Sequence, residues 1–314
     1  MNQAAGFSCY LDGQPDHLTP AHQLAACWDE NLAGHPLFLN KNCEFNSADE
    51  LLGKDHNDGF TAVENMVWVR NSITNTATPF WIRPQLRYDL AELSNGKAVS
   101  LLRDADRRCL AMAGVLTSPA HETAQNKAAA AMFSRIADQV RTRGFAPISG
   151  LIHPFHISAL RRYFRTLIRT GKLTLGDTQS SRRYYAHNEP VAKFFHAQLT
   201  QIVSMIVGQP VKPSYVYFAS YQEGAILEKH TDREQCQFSI SFCLDYSPEP
   251  LRQTSWPLQV HTPEGVTKVY QSIGAGLVYL GCQLPHSREM LPSGHTSTSI
   301  FFHYVPEDFG GPLD

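Results

Sequence analysis

A chain of 314 residues, 43% hydrophobic, 18% charged and carrying a formal net charge of −2, has the composition of an ordinary globular protein with room for one large domain or two smaller ones. That charge balance argues against a polyanion-binding surface, so no nucleic-acid partner is expected; the one basic cluster, "LRRYFRTLIRTGK", reads as a solvated helix face. Seven scattered cysteines without a CxxC read as reduced thiols of a cytoplasmic protein. The start of the chain lacks the basic and apolar runs of a signal peptide, and no stretch of about 18 apolar residues predicts a membrane span.

In chain order, residues 1–116 read as a mixed α/β region of unknown purpose. "TPAHQLAACWDENLAG" predicts a helix with Thr19 as N-cap and Pro20 at its first position, and "NSADELLGK" a second, capped by Ser47. "NMVWVR", "PFWIRPQLRY" and "KAVSLL" read as strands, and "DADRRCLAMAGVL" as a helix. A boundary near 116–122 separates this region from residues 117–314. There the alanine-rich segment 118–144 is the clearest helix, with Gly144 in the stop position. "FAPISGLI" is a short apolar strand. "HISALRRYFRTLIRTGK" is an amphipathic helix with Leu160, Phe164 and Leu167 on one stripe, and "EPVAKFFHAQLTQIVSMIVG" is another helix with a buried face.

From Lys212 the pattern changes to short β-type runs: "PSYVYFASY", "QFSISFCL", "WPLQVHT", "TKVYQSI", "GLVYL" and "TSTSIFFHYV". The fold class is therefore α+β, with helices supporting an antiparallel barrel or jelly roll.

Inside this β-rich part, "EKHTDREQCQFSISFCLDY" places His230 and Asp232 two residues apart, on one side of an extended chain. Two such groups can grip one metal ion. Among His261, His286, His295 and His303, only His286 begins a segment after a strand and a short turn that can return it over the barrel mouth. His303 reads as a packed or rim histidine, His295 as turn surface and His261 as a hairpin end. Cys236, Cys243 and Cys282 read as small core residues alternating within strands. Trp256 reads as edge-strand packing, with a substrate wall as the other role.

These residues resemble the iron(II)/2-oxoglutarate dioxygenases, in particular the prolyl-4-hydroxylase-like group. Tyr221, Gly224, His230 and Asp232 stand in step with that group's approach to the metal, "GAGLVYLGCQLPHSRE" is similar to the stretch leading to its distal histidine, and "GFAPISGLIHPFHISALRRYF" to its opening strand and helix. The resemblance spans about residues 144–304. It implies a double-stranded β-helix (jelly roll, cupin-like), Fe(II) held by His230, Asp232 and His286, 2-oxoglutarate as co-substrate, O₂ as oxidant, and ascorbate as a stimulant. Because Asp232 retains the carboxylate that halogenating members lack, hydroxylation is the default outcome, with desaturation or ring formation open. The implied substrate is a small molecule such as an amino acid or natural-product intermediate, with a peptidyl residue as the alternative. The other functional class is a cupin-like isomerase or sensor that does not use 2-oxoglutarate. A homodimer contact is one role open to the N-terminal part.

The chain departs from the group's pattern at one place. About ten residues past the distal histidine the group carries a Lys or Arg for the far carboxylate of 2-oxoglutarate, and here Thr296 stands there. Arg288, two past His286, is the expected substitute, assisted by Tyr221, Tyr217, Thr296 or Thr298; the competing expectation is a surface ion pair between Arg288 and Glu289 or another nearby carboxylate.

Overall fold

The computed structural model describes residues 6–11, 36–45, 59–61 and 65–314. The two helices expected over residues 19–34 and 46–54 lie outside the described residues. Backbone proximity divides the chain into two compact units, one of residues 1–131 with 153–163 and one of residues 132–152 with 164–314. No helix among the described residues is long and apolar enough to cross a membrane.

The first unit contains the pair β1 (Phe38–Leu39) and β5 (Leu116–Thr117), and the antiparallel sheet β2 (Cys43–Glu44), β3 (Met66–Arg70), β4 (Ala77–Trp81). It also holds helices α1 (Pro84–Ser94) and α2 (Asp104–Met112). The segment "PFWIRPQLRY", expected to be one strand, is split. Its strand ends at Trp81, because Pro84 has a fixed φ and no N–H to give a ladder, and both properties suit the first position of α1. The expected strand "KAVSLL" is instead a single 3₁₀ turn, Val99–Leu101, whose residues are all at least partly exposed and so lack a face to bury in a sheet.

Helix α3 (Pro119–Arg143) ends at Gly144, whose φ of 76° supplies the left-handed turn into β6 (Phe145–Ser149). Helix α4 (Pro154–Arg169) follows, then β7 (Thr174–Leu175), β8 (Arg183–His187) and α5 (Pro190–Val207). Helix α5 begins where the Glu189 carboxylate accepts from the Ala192 N–H at 2.9 Å, with Pro190 next to it, and stops at Gly208 in the left-handed region.

Eight strands complete the second unit: β9 (Val211–Tyr221), β10 (Leu227–His230), β11 (Phe238–Ser247), β12 (Leu258–Thr262), β13 (Gly265–Val269), β14 (Ala275–Tyr279), β15 (His286–Arg288) and β16 (Thr296–Pro306). They fall into two antiparallel sheets. The larger runs β6-β14-β11-β16-β9-β8-β7 and the smaller β10-β15-β12-β13. Successive strands β9 to β11 and β13 to β16 switch from one sheet to the other, the connectivity of a double-stranded β-helix. Phe145, Leu227, Leu258, Val260, Leu277 and Tyr279, drawn from both sheets, form one buried cluster. Each such aliphatic side chain removed from water contributes about 1.5–3 kcal/mol. On the other face of the large sheet, Phe164 of α4 stacks on Phe218 of β9 at 4.1 Å, and Arg165 forms a two-pronged pair with Asp245.

Strands β7, β8, β10 and β15 were not expected. They are short, and β10 and β15 ("LEKH", "HSR") carry too few apolar residues to show an alternation.

Candidate metal and co-substrate site

His230 ends β10 and His286 begins β15. In the antiparallel register of these strands the two residues stand directly opposite, and their ring centroids are 4.4 Å apart. Asp232 follows two residues after His230, where its N–H donates to the Gly281 carbonyl at 3.0 Å. The structure thus brings together one donor atom from each of the three residues, all within 4.8 Å of one another.

The hydrogen bonds around them decide the chemistry. His230 Nδ1 lies 2.7 Å from the Glu228 carbonyl, and His286 Nδ1 lies 3.0 Å from the Leu284 carbonyl. A carbonyl only accepts, so each Nδ1 carries the proton and donates, which leaves the Nε2 electron pairs bare. Those Nε2 atoms face Asp232 Oδ1 at 3.7 and 3.5 Å. Burial holds His286 below the ordinary imidazole pKa, against the pull of Asp232, so it is neutral at pH 7. Two imidazole electron pairs and a carboxylate oxygen turned toward one point repel unless a cation lies between them. This donor set, nitrogen, nitrogen and oxygen on one face, fits Fe(II).

The other carboxylate oxygen is held from behind. Ser239 Oγ donates to Asp232 Oδ2 at 3.2 Å. Such a partner orients a ligating carboxylate. His303, expected as a packed or rim residue, is 5% exposed and lies 2.8 Å through Nδ1 from the same Ser239 hydroxyl. Burial pulls its pKa down to about 4, so it is neutral.

The three residues line a cavity of about 350 Å³, with Tyr215, Tyr217, Tyr221, Phe301 and Arg183 among its other walls. A larger cavity of about 650 Å³ also touches Asp232, but neither His230 nor His286 is in its wall, so the smaller one holds the site.

Arg288 is 4% exposed. It donates to the Trp256 carbonyl at 2.6 Å and to Gln271 Oε1 at 3.2 Å, and its guanidinium lies over the Trp256 ring at 4.7 Å. Among the described residues no carboxylate pairs with it, and its buried Nε has no hydrogen-bond partner. Burial lowers its pKa from the ordinary value. The alternative ion pair with Glu289 is absent among the described residues: Glu289 bonds Gln259 at 2.7 Å and Lys268 at 3.2 Å instead.

Tyr221 is buried and its hydroxyl accepts from Arg183 Nη1 at 3.0 Å. Tyr217 donates to Asp177 and stacks on Tyr185. Thr298 donates to Ser220 Oγ at 2.9 Å, and Thr296 stands opposite Ser247 at the start of β16. Neither threonine is in the cavity wall, nor is Arg288, which lies behind it. His295 sits on a turn with Nδ1 3.0 Å from the Ser293 carbonyl, and His261 bonds Ser287 at 2.9 Å. Trp256 is not on an edge strand but in the loop before β12, buried against Tyr221 with its indole N–H on the Glu289 carbonyl at 2.6 Å. Two of the three cysteines also differ from expectation. Cys236 closes a 3₁₀ turn and Cys282 lies in a turn after β14; only Cys243 is within a strand.

Sequence reasoning missed Arg183 and Asp177. Their ion pair at 2.5 Å stands on the β7–β8 hairpin and forms part of the cavity wall. Their sequence signal is "RYYAH", an aromatic run of strand character over Arg183–His187.

No protein-family model matches the sequence, and no curated protein matches it in a sequence search. Solved structures do match. A prolyl hydroxylase from Trichoplax adhaerens, in complex with a hypoxia inducible factor oxygen degradation domain peptide fragment, is 14% identical with a TM-score of 0.50; the match covers 59% of this chain and 94% of that one. A prolyl-4-hydroxylase from Pseudomonas putida is 18% identical with a TM-score of 0.46, over 56% and 99% of the chains. An oxidoreductase of the 2OG-Fe(II) oxygenase family from Burkholderia pseudomallei is 12% identical with a TM-score of 0.44, over 55% and 89%. At these identities the likeness is one of fold: more than half of the chain has the jelly-roll fold of the Trichoplax prolyl hydroxylase.

Proposed function

We propose that the chain is an Fe(II)- and 2-oxoglutarate-dependent oxygenase that hydroxylates a small molecule, with residues 117–314 as the oxygenase domain and 1–116 as an accessory region. The observation that carries this reading is the convergence of the His230 and His286 Nε2 electron pairs on Asp232 Oδ1, each ring held in its tautomer by a backbone carbonyl.

In this reading His230, Asp232 and His286 hold the iron, and Arg288 receives the far carboxylate of 2-oxoglutarate. Iron(II) with 2-oxoglutarate supplies the oxidation of a C–H bond by O₂, with succinate and CO₂ as the co-products. The protein's part is geometric. Ser239 engages the back of the Asp232 carboxylate, so its other oxygen would be turned to the metal. With only three protein ligands, a bound iron would keep positions for co-substrate and O₂. Arg288 is a buried cation with no carboxylate partner among the described residues, a costly state that a dicarboxylate would relieve. Arg183 is a cavity-wall residue and Arg288 is not, but Arg183 is already neutralised by Asp177 and is the weaker candidate. The tyrosines and Phe301 wall the cavity and limit water.

The test is succinate formation by purified protein with Fe(II), 2-oxoglutarate, ascorbate and O₂, without added substrate. Slow uncoupled succinate release is expected. Iron bound without any succinate would contradict the proposal and favour a cupin-like metal protein. Candidate amino acids scored by stimulated succinate release then address the substrate.

A further inference from the structure

We propose that Asp232, Cys236 and His303 form a second cation site, selective for a thiophilic divalent ion such as Zn²⁺ and sharing the Asp232 carboxylate with the first. Each residue supplies one donor atom, a carboxylate oxygen, a thiol sulfur and an imidazole nitrogen, and these lie within 4.8 Å of one another. Donors around a tetrahedral zinc stand about 3.3–3.8 Å apart, so small side-chain rotations close the remaining gap. The set is mixed sulfur, nitrogen and oxygen, which suits zinc and cobalt and disfavours magnesium or calcium.

The surroundings are built rather than accidental. Asp232 presents Oδ1 to the two histidines of the first site, while Oδ2 lies on the Ser239 side, and the same Ser239 hydroxyl meets His303 Nδ1. Cys236 is 1% exposed and fixed by its place in the 3₁₀ turn, where its N–H donates to the Arg233 carbonyl at 2.9 Å. The Tyr215 hydroxyl lies 3.0 Å from the sulfur, a donor for a thiolate once one forms. Binding replaces the thiol proton with the metal, and that proton leaves to solvent. One carboxylate would then serve two sites, so a thiophilic ion weakens the hold of the first site on its own metal.

The experiment is a Co²⁺ titration of the metal-free full chain, read by absorption. Thiolate-to-cobalt charge transfer is expected in the wild type and in His286→Ala, and is expected to vanish in Cys236→Ser. Its apparent affinity should fall by at least about 100-fold in His303→Ala, beyond the ~10–100-fold that loss of an outer partner costs. No thiolate band in the wild type, or a band that survives Cys236→Ser, overturns the inference. Should Cys236→Ser fail to fold, X-ray absorption of the zinc-loaded Cys282→Ser protein decides instead: a sulfur scatterer at about 2.3 Å supports the site, and nitrogen and oxygen alone overturn it. A cobalt spectrum with ligand-field bands but no thiolate band would remove this site and leave the first one standing.

Discussion

Gly281 and Asp232 are packed so closely that no side chain fits between them. The Asp232 N–H donates to the Gly281 carbonyl at 3.0 Å, and a Cβ on Gly281 would collide with Asp232 Oδ2 and the Cys236 carbonyl, and come within 2.9 Å of Ser239 Oγ. The glycine therefore admits the loop that carries the carboxylate. Gly281→Ala should turn the carboxylate away and lower metal affinity by about 10–100-fold, the range for a displaced supporting group. Iron or cobalt titration checks this, and wild-type affinity in a folded Gly281→Ala protein would show that the contact is slack.

Asp232→Ala removes one of three proposed ligands and its charge, and should abolish most turnover and weaken iron binding. His295→Ala serves as the control. Its ring is on a turn outside the cavity wall, so bound iron should be retained. Iron content after dialysis reads both.

Arg288→Gln should raise the apparent KM for 2-oxoglutarate by about 10- to 300-fold, matching ~1.4–3.5 kcal/mol for a lost charge-assisted pair, with iron affinity nearly unchanged. Arg183→Gln should shift that KM less, since Asp177 already neutralises Arg183. An unchanged KM in Arg288→Gln with normal melting would refute the anchor. A larger effect in Arg183→Gln would move the anchor to β8.

Histidine burial sets a pH dependence of stability. Burial pulls His196, on α5, from 6.5 down to about 3, while its Nε2 bonds the His303 carbonyl at 2.7 Å. Above pH 6.5 the residue is neutral folded or unfolded, and it adds no slope. As pH falls below 6.5 the unfolded chain takes up the proton and the folded one does not, so stability is lost, by about 1.4 kcal/mol per pH unit for each such proton. His196→Gln should remove about one proton from the slope of unfolding free energy against pH between 6.5 and 4. Urea melts across that range measure it, and an unaltered slope would mean that His196 takes up its proton in the folded state.

The runs with strong apolar character were legible: the helices at 118–144 and 189–208, and strands β9, β11, β14 and β16, each announced by length and alternation. His230, Asp232 and His286 were legible as a pattern of residue types, though their proximity depends on the β10–β15 register, and both strands are too short and polar to announce themselves. The Asp177–Arg183 pair was hidden for the same reason, in an unassigned hairpin. The burial of Arg288 follows from alternation on β15, since His286 and Arg288 share the inward side. The apolar run "PFWI" hides the helix start at Pro84, because its strand character continues up to the proline.

Anaerobic addition of 2-oxoglutarate to the Fe(II)-loaded protein tests the central claim most directly. The account predicts a visible metal-to-ligand charge-transfer band that saturates with 2-oxoglutarate, is absent in Asp232→Ala and His286→Ala, and needs much more 2-oxoglutarate in Arg288→Gln. Iron that binds stoichiometrically and yields no band at saturating 2-oxoglutarate, or a band that persists in His286→Ala, would contradict it.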